Sequence, residues 1–134
     1  MSGLKFLKVG DQAPSFTSLD QDGKIISSEN FRGKKWVIYF YPKDQTPGCI
    51  AQACNIRDNY QLLLDKGIEI IGVSGDNQKS HLNFISKQAI PFPLVADEDL
   101  SVIKAFGVWG EKKFMGKIYD GIHRTTFLID ENNI

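Results

Sequence analysis

Residues 36–41, Trp-Val-Ile-Tyr-Phe-Tyr, form an unbroken apolar and aromatic run without a charge or a glycine. A run of that length and composition reads as a buried strand. Pro42 to Gly48 follows it, a loop stiffened by two prolines. Beyond the loop, Cys49, Ala53, Ile56, Tyr60 and Leu63 recur at helical spacing, which predicts one helix reaching Leu64 and closed by Lys66-Gly67. Strand then helix repeats downstream. Ile68 to Ser74 reads as a strand and Asn77 to Ala89 as a helix. Pro91 to Val95 reads as a short edge strand, because proline cannot donate to a ladder. Asp97 to Phe106 reads as a third helix whose leading acids suit the helix dipole. Upstream, Phe16–Leu19 and Lys24–Ile26 flank Asp20-Gln21-Asp22-Gly23 and predict a hairpin, followed by a helical turn near Ser28 to Phe31. Gly107 to Gly121 is rich in glycine and aromatics and reads as irregular; Arg124 to Ile129 reads as a last strand. This alternation implies an α/β layered domain, with residues 1–134 as one unit.

The bulk numbers narrow the function. Sixteen basic and sixteen acidic residues cancel, so nothing in the charge balance suggests nucleic acid or a membrane surface. The apolar runs are strand-length, too short to span a bilayer. Met1 to Lys5 shows no signal-peptide pattern, which reads as a reducing compartment, most simply the cytoplasm. Two cysteines are too few for a disulfide scaffold, and a close pair in reducing conditions marks catalysis, redox sensing or metal binding.

Those cysteines are Cys49 and Cys54. Cys49 falls where the loop enters the helix, among unpaired backbone N–H groups at the positive end of the helix dipole. Such a place favours an anion, and the thiolate is the reactive form of cysteine. In a regular helix, α-carbons five residues apart lie about 8 to 9 Å from each other. A disulfide needs about 4.4 to 6.8 Å. Either the two sulfurs never pair, or the first turns unwind to let them. A metal site from Cys49, Cys54, His81 and His123 fits poorly, because the histidines lack the local spacing that zinc sites use.

The segment Tyr39-Phe40-Tyr41-Pro42-Lys43-Asp44-Gln45-Thr46-Pro47-Gly48-Cys49, with Ala53-Cys54-Asn55-Ile56-Arg57-Asp58, closely resembles the peroxiredoxins. It is most similar to their bacterioferritin comigratory protein, or peroxiredoxin Q, branch. Phe106 to Lys112, Phe114 to Lys117 and Tyr119 to Arg124 carry the same resemblance. It implies a thioredoxin-like fold, a central mixed sheet flanked by helices, with a further C-terminal strand and helix absent from this sequence. It implies no cofactor and no metal. It places Cys49 at the peroxidatic position and Cys54 at the resolving position. Thr46 and Arg124 match the residues that hold thiolate and peroxide, and Pro42 and Gly48 the substrate-binding and shielding positions. Hydrogen peroxide and organic hydroperoxides are the implied substrates, thioredoxin or a similar dithiol the reductant, and a monomer the implied state. Gln52 stands where many relatives carry glutamate.

Magnitudes indicate where the rate must come from. Lowering a thiol pKa from about 8.5 to roughly 6 raises its thiolate fraction at neutral pH about thirtyfold. Intrinsic nucleophilicity falls roughly tenfold or more in exchange. The larger contribution must therefore be stabilisation of charge moving across the O–O bond. Two other readings compete. A dithiol carrier lacks its Cys-x-x-Cys pair here. A peroxide-responsive redox sensor would react once and turn over poorly.

Overall fold

The computed structural model describes residues 7–114 and 116–134. Strands β1 (Thr17–Leu19) and β2 (Ile25–Ser27) form the expected hairpin, followed by a 3-10 turn at Ser28–Phe31. Then come β3 (Lys35–Phe40), helices α1 (Pro47–Asp58) and α2 (Tyr60–Asp65), and β4 (Ile68–Ser74). Helix α3 (Gln78–Gln88), β5 (Leu94–Ala96), α4 (Ser101–Ala105), β6 (Trp109–Phe114), β7 (Lys117–Ile122) and β8 (Thr125–Ile129) complete the chain. The central sheet has the order β5-β4-β3-β8. Strands β3, β4 and β5 are parallel and β8 is antiparallel to β3, so the sheet is mixed.

The apolar run forms β3 at the heart of this sheet because both of its faces are covered. Trp36, Ile38 and Phe40 point into one core with Phe16, Ile71, Val73, Val95, Ile103, Phe106 and Ile129. Tyr39 and Tyr41 point into the other, with Cys49, Ala53, Ile70, Phe84, Phe92 and Leu94. Successive side chains of a strand face opposite ways, so an unbroken apolar run suits a strand sandwiched between layers.

Gly72 is the small residue this packing requires. It pairs in register with Tyr39 on one side and Leu94 on the other. A Cβ at Gly72 would lie 2.8 Å from Leu94 Cδ2 and 2.9 Å from the Tyr39 Cζ and hydroxyl. Both neighbours are buried and cannot withdraw. Gly72→Ala is expected to cost about 1–3 kcal/mol, read as a lower urea midpoint at unchanged m-value.

Four expectations need correction. The long helix from Cys49 to Leu64 is two helices, because α1 ends at Asp58 and Asn59 turns its amide back onto the Asn55 carbonyl at 2.9 Å. Asparagine competes with the helix in this way. The third helix is only Ser101–Ala105. Asp97 stays outside it, fully buried, and accepts from the Val102 and Ile103 N–H groups at 3.2 and 2.8 Å. Burial pushes its carboxyl above the usual range against those two hydrogen bonds. The short edge strand begins after Pro93, with Leu94. Most plainly, Gly107 to Gly121 is not irregular: β6 and β7 pair antiparallel from Trp109↔Ile122 to Phe114↔Lys117.

Candidate active site

The site is assembled from the end of β3, the loop after it, the start of α1 and the segment between β7 and β8. Tyr41 leaves the sheet with its N–H on the Val73 carbonyl at 3.1 Å. The next turn is anchored inward through Asp44, which is buried. The Asp44 N–H donates to Asp76 Oδ2 at 2.8 Å, and its carboxylate accepts from the Tyr41 hydroxyl at 2.6 Å and the Ser80 hydroxyl at 2.8 Å. His81 Nδ1 lies 2.7 Å from the same carboxylate, and His81 Nε2 lies 2.8 Å from the Val95 carbonyl oxygen. Burial and the adjacent Asp44 push the Tyr41 phenol well above its ordinary range, so Tyr41 stays a donor. This network fixes the loop to α3 and to the ends of β4 and β5. Sequence reasoning missed it and considered His81 only as a metal ligand.

Helix α1 then begins with Pro47 in its first turn, where the missing N–H costs nothing and the fixed φ fits. Thr46 is the N-cap residue, and its carbonyl accepts the first helical bond from Ile50 N–H at 2.8 Å. Cys49 therefore stands in the first turn, with its side chain turned into the core at 2% exposure. Among the described residues, one cation reaches the sulfur. Arg124 Nη2 donates to Cys49 Sγ at 3.2 Å, and Arg124 Nη1 donates to Gln52 Oε1 at 2.7 Å. Gln52 is three residues past Cys49, on the same side of the helix. A single guanidinium thus spans two residues of one helix face. Gly48 leaves room for it, since a Cβ there would sit 3.2 Å from Arg124 Nη2.

The other expected site residues are placed differently. The Thr46 hydroxyl donates to the Lys43 carbonyl at 2.9 Å and is not hydrogen-bonded to the sulfur. Its proton is committed, so toward the site it can only accept. Pro42 is exposed and lines an open groove of about 400 Å³ with Trp109, Lys112 and Tyr119 of the β6–β7 hairpin. Cys54 lies further along α1, half-buried, with its thiol donating to Gln88 Oε1 at 3.5 Å. Both cysteines are free thiols on one continuous helix. Behind Cys49, the buried Tyr39 hydroxyl has no hydrogen-bond partner among the described residues. Burial, then the charges of Asp44 and Cys49, push that phenol well up, with Arg124 opposing. The two histidines stand apart from the cysteines: His81 is engaged by Asp44, and His123 Nε2 lies 3.0 Å from the Glu111 carbonyl oxygen.

Chemically, this is a thiol held under a cation at the start of a helix, with a second thiol within reach if that helix opens. It defines the site of a thiol oxidoreductase. The comparisons with known proteins agree. The model of the AhpC/TSA family matches residues 9–134. A Haemophilus influenzae protein described as a putative peroxiredoxin bcp is 53% identical over 126 residues, 94% of this chain and 81% of the relative. Escherichia coli peroxiredoxin Bcp is 50% identical over 124 residues, 92% of this chain and 80% of the relative. Among solved structures, a cysteine variant of Xanthomonas campestris peroxiredoxin Q superimposes with a TM-score of 0.83 at 39% identity, covering 88% of this chain and 75% of that one. This chain belongs to the AhpC/TSA family, within its Bcp or peroxiredoxin Q branch. Its activity is that of a thiol-dependent peroxidase, and its fold is the thioredoxin-like fold of those neighbours.

Proposed function

We propose that Cys49 is the peroxidatic cysteine and Cys54 the resolving one. The observation that carries this reading is the 3.2 Å hydrogen bond from Arg124 to the Cys49 sulfur at the start of α1. The sulfur attacks the nearer peroxide oxygen. The O–O bond breaks, the departing oxygen leaves as water or alcohol, and Cys49 becomes a sulfenic acid. Charge passes from sulfur to the departing oxygen during this step. Arg124 and the first-turn N–H groups of α1 are the donors that meet it. The Thr46 oxygen, with its own proton spent on Lys43, accepts from the peroxide O–H and orients it. Pro42 walls the loop on its outer side.

The first turns of α1 then unwind, because an offset of five positions in a helix holds the two α-carbons farther apart than a disulfide permits. The Cys54 sulfur displaces the sulfenic hydroxyl as water, and a Cys49–Cys54 disulfide forms. A dithiol protein of thioredoxin type restores both thiols by exchange. Hydrogen peroxide and small organic hydroperoxides are the substrate class, and the reading extends to a monomer in the cytoplasm. A solved structure of the Xanthomonas campestris bacterioferritin comigratory protein, 38% identical with a TM-score of 0.83, is described through that protein's alkyl peroxide reduction, which supports the organic substrates.

The test is Cys54→Ser. With thioredoxin, its reductase and peroxide, this variant is expected to consume about one equivalent of peroxide rapidly and then stall. Sustained turnover at the parent rate would remove Cys54 from the cycle.

A further inference from the structure

We infer that Arg57 and Gln88 are positioning residues for the resolving step: together they clamp the lower half of α1 and set how readily Cys54 is released toward Cys49. The inference rests on the reading of Cys54 as the resolving cysteine.

Two contacts from α1 converge on one residue of α3. The Cys54 thiol donates to the side-chain oxygen of Gln88 at 3.5 Å. Arg57 Nη1 donates to the main-chain oxygen of Gln88 at 2.6 Å. Cys54 and Arg57 are three residues apart, so they lie on the same face of α1. Gln88 is the last residue of α3. Ala89 follows it in the left-handed region, at φ 52°, and the N–H groups of Ala89 and Ile90 both return to the Ile85 carbonyl. Among the described residues, that closing turn leaves the Gln88 carbonyl without a main-chain partner, one of the orphan acceptors every helix end must satisfy. Arg57 satisfies it from another helix, with its side chain only 32% exposed. A short, charge-assisted bond of this kind is among the stronger hydrogen bonds a protein makes.

The two ends of α1 are therefore held unequally. At its start, Thr46 makes no side-chain cap and Pro47 and Gly48 occupy the first turn. At its end, Arg57 is fixed to α3. Unwinding that begins at Pro47 must run to Cys54, and there it meets the Gln88 contact and, one turn further, the Arg57 clamp. Until Cys54 leaves Gln88, the Cys49 sulfenic acid stays exposed to a second peroxide. That peroxide would oxidise the sulfur by two more electrons to sulfinic acid and depart as water or alcohol. The clamp trades a stable resting helix against the lifetime of the sulfenic acid.

Arg57→Ala removes the main-chain clamp. Gln88→Ala removes the Cys54 contact but keeps the carbonyl that Arg57 uses, so it tests the same device without losing the helix end. In stopped-flow fluorescence at about 15 °C, with disulfide and sulfinate counted by mass, the first oxidation of Cys49 is expected at the parent rate in both variants. Disulfide formation should be roughly tenfold faster in Arg57→Ala and severalfold faster in Gln88→Ala. The sulfinate formed at high peroxide should fall in proportion. A role in stability alone would lower the melting temperature without moving this partition. Parent-like disulfide rates in both folded variants overturn the clamp and leave Cys54 as the resolving residue. A parent protein that forms no Cys49–Cys54 disulfide overturns both readings.

Discussion

Cys49→Ser is expected to lower peroxide turnover at least about a thousandfold while leaving the fold intact. The fold survives because the change is small and the buried position is not left unsatisfied. Cys49 is 2% exposed, and a serine hydroxyl there meets the Arg124 guanidinium that now meets the sulfur. The chemistry does not survive, because an alcohol is a far weaker nucleophile than a thiolate and cannot take up the peroxide oxygen. The remaining sulfur does not substitute. Cys54 faces Gln88 on α3, and the Arg124 contact belongs to Cys49. Coupled turnover with a dithiol reductant, paired with near-ultraviolet circular dichroism, reads both halves of the expectation. Activity above a few per cent of the parent in a folded Cys49→Ser protein would put the reacting sulfur elsewhere.

The helix start carrying Cys49 was legible because its determinants are local. An apolar run long enough for a central strand, a proline-stiffened loop and a helical stripe all lie within residues 36–64. The same locality explains the misplaced end of α1. Apolar spacing continues past Asn59 into α2, and only the Asn59 side chain, bonded back to Asn55, records the break. The β6–β7 hairpin was missed for a different reason. Among the described residues its strands pair with each other alone, and the consecutive charges Glu111, Lys112 and Lys113 in one strand and Asp120-Gly121 in the other interrupt the apolar residues, so no apolar period marks them. Two runs of equal length separated by two residues ending in Gly116, at φ 78°, were the available signal.

Contacts across long stretches of chain were out of reach of periodicity altogether. Arg124 lies 75 positions from Cys49 and entered the reading only through resemblance. Geometry now adds that β8 runs antiparallel beside β3, so the residue just before β8 arrives where β3 ends and α1 begins. The Asp44–His81 pair and the Arg57–Gln88 clamp span 37 and 31 positions and left no local mark. Thr46 shows the converse. Its residue type matched the motif, but the direction of its hydroxyl is set by the Lys43 carbonyl, which composition does not reveal.

Arg124→Ala is expected to lower kcat/KM for hydrogen peroxide roughly 10²- to 10³-fold, the size found when one donor is taken from an oxyanion site. Arg124 is solvent-exposed as a residue, so its full charge is partly screened. Its advantage is placement. Gln52, bonded at 2.7 Å, holds one nitrogen while the other faces the sulfur at 3.2 Å, so the donor needs no reorganisation as charge moves to the departing oxygen. Arg124→Lys keeps the charge but loses the planar fork that engages both partners. It should fall between parent and alanine. Alkylation of Cys49 by iodoacetamide separates two explanations. That reaction has no O–O bond to cleave, so a donor aimed at the departing oxygen contributes little to it, whereas a cation that only raised the reactivity of the sulfur would affect both reactions alike. The expectation is a large loss with peroxide and a severalfold loss with iodoacetamide. Arg124→Ala within about threefold of parent toward peroxide would remove the guanidinium from the transition state, and equal losses in the two reactions would confine it to the sulfur.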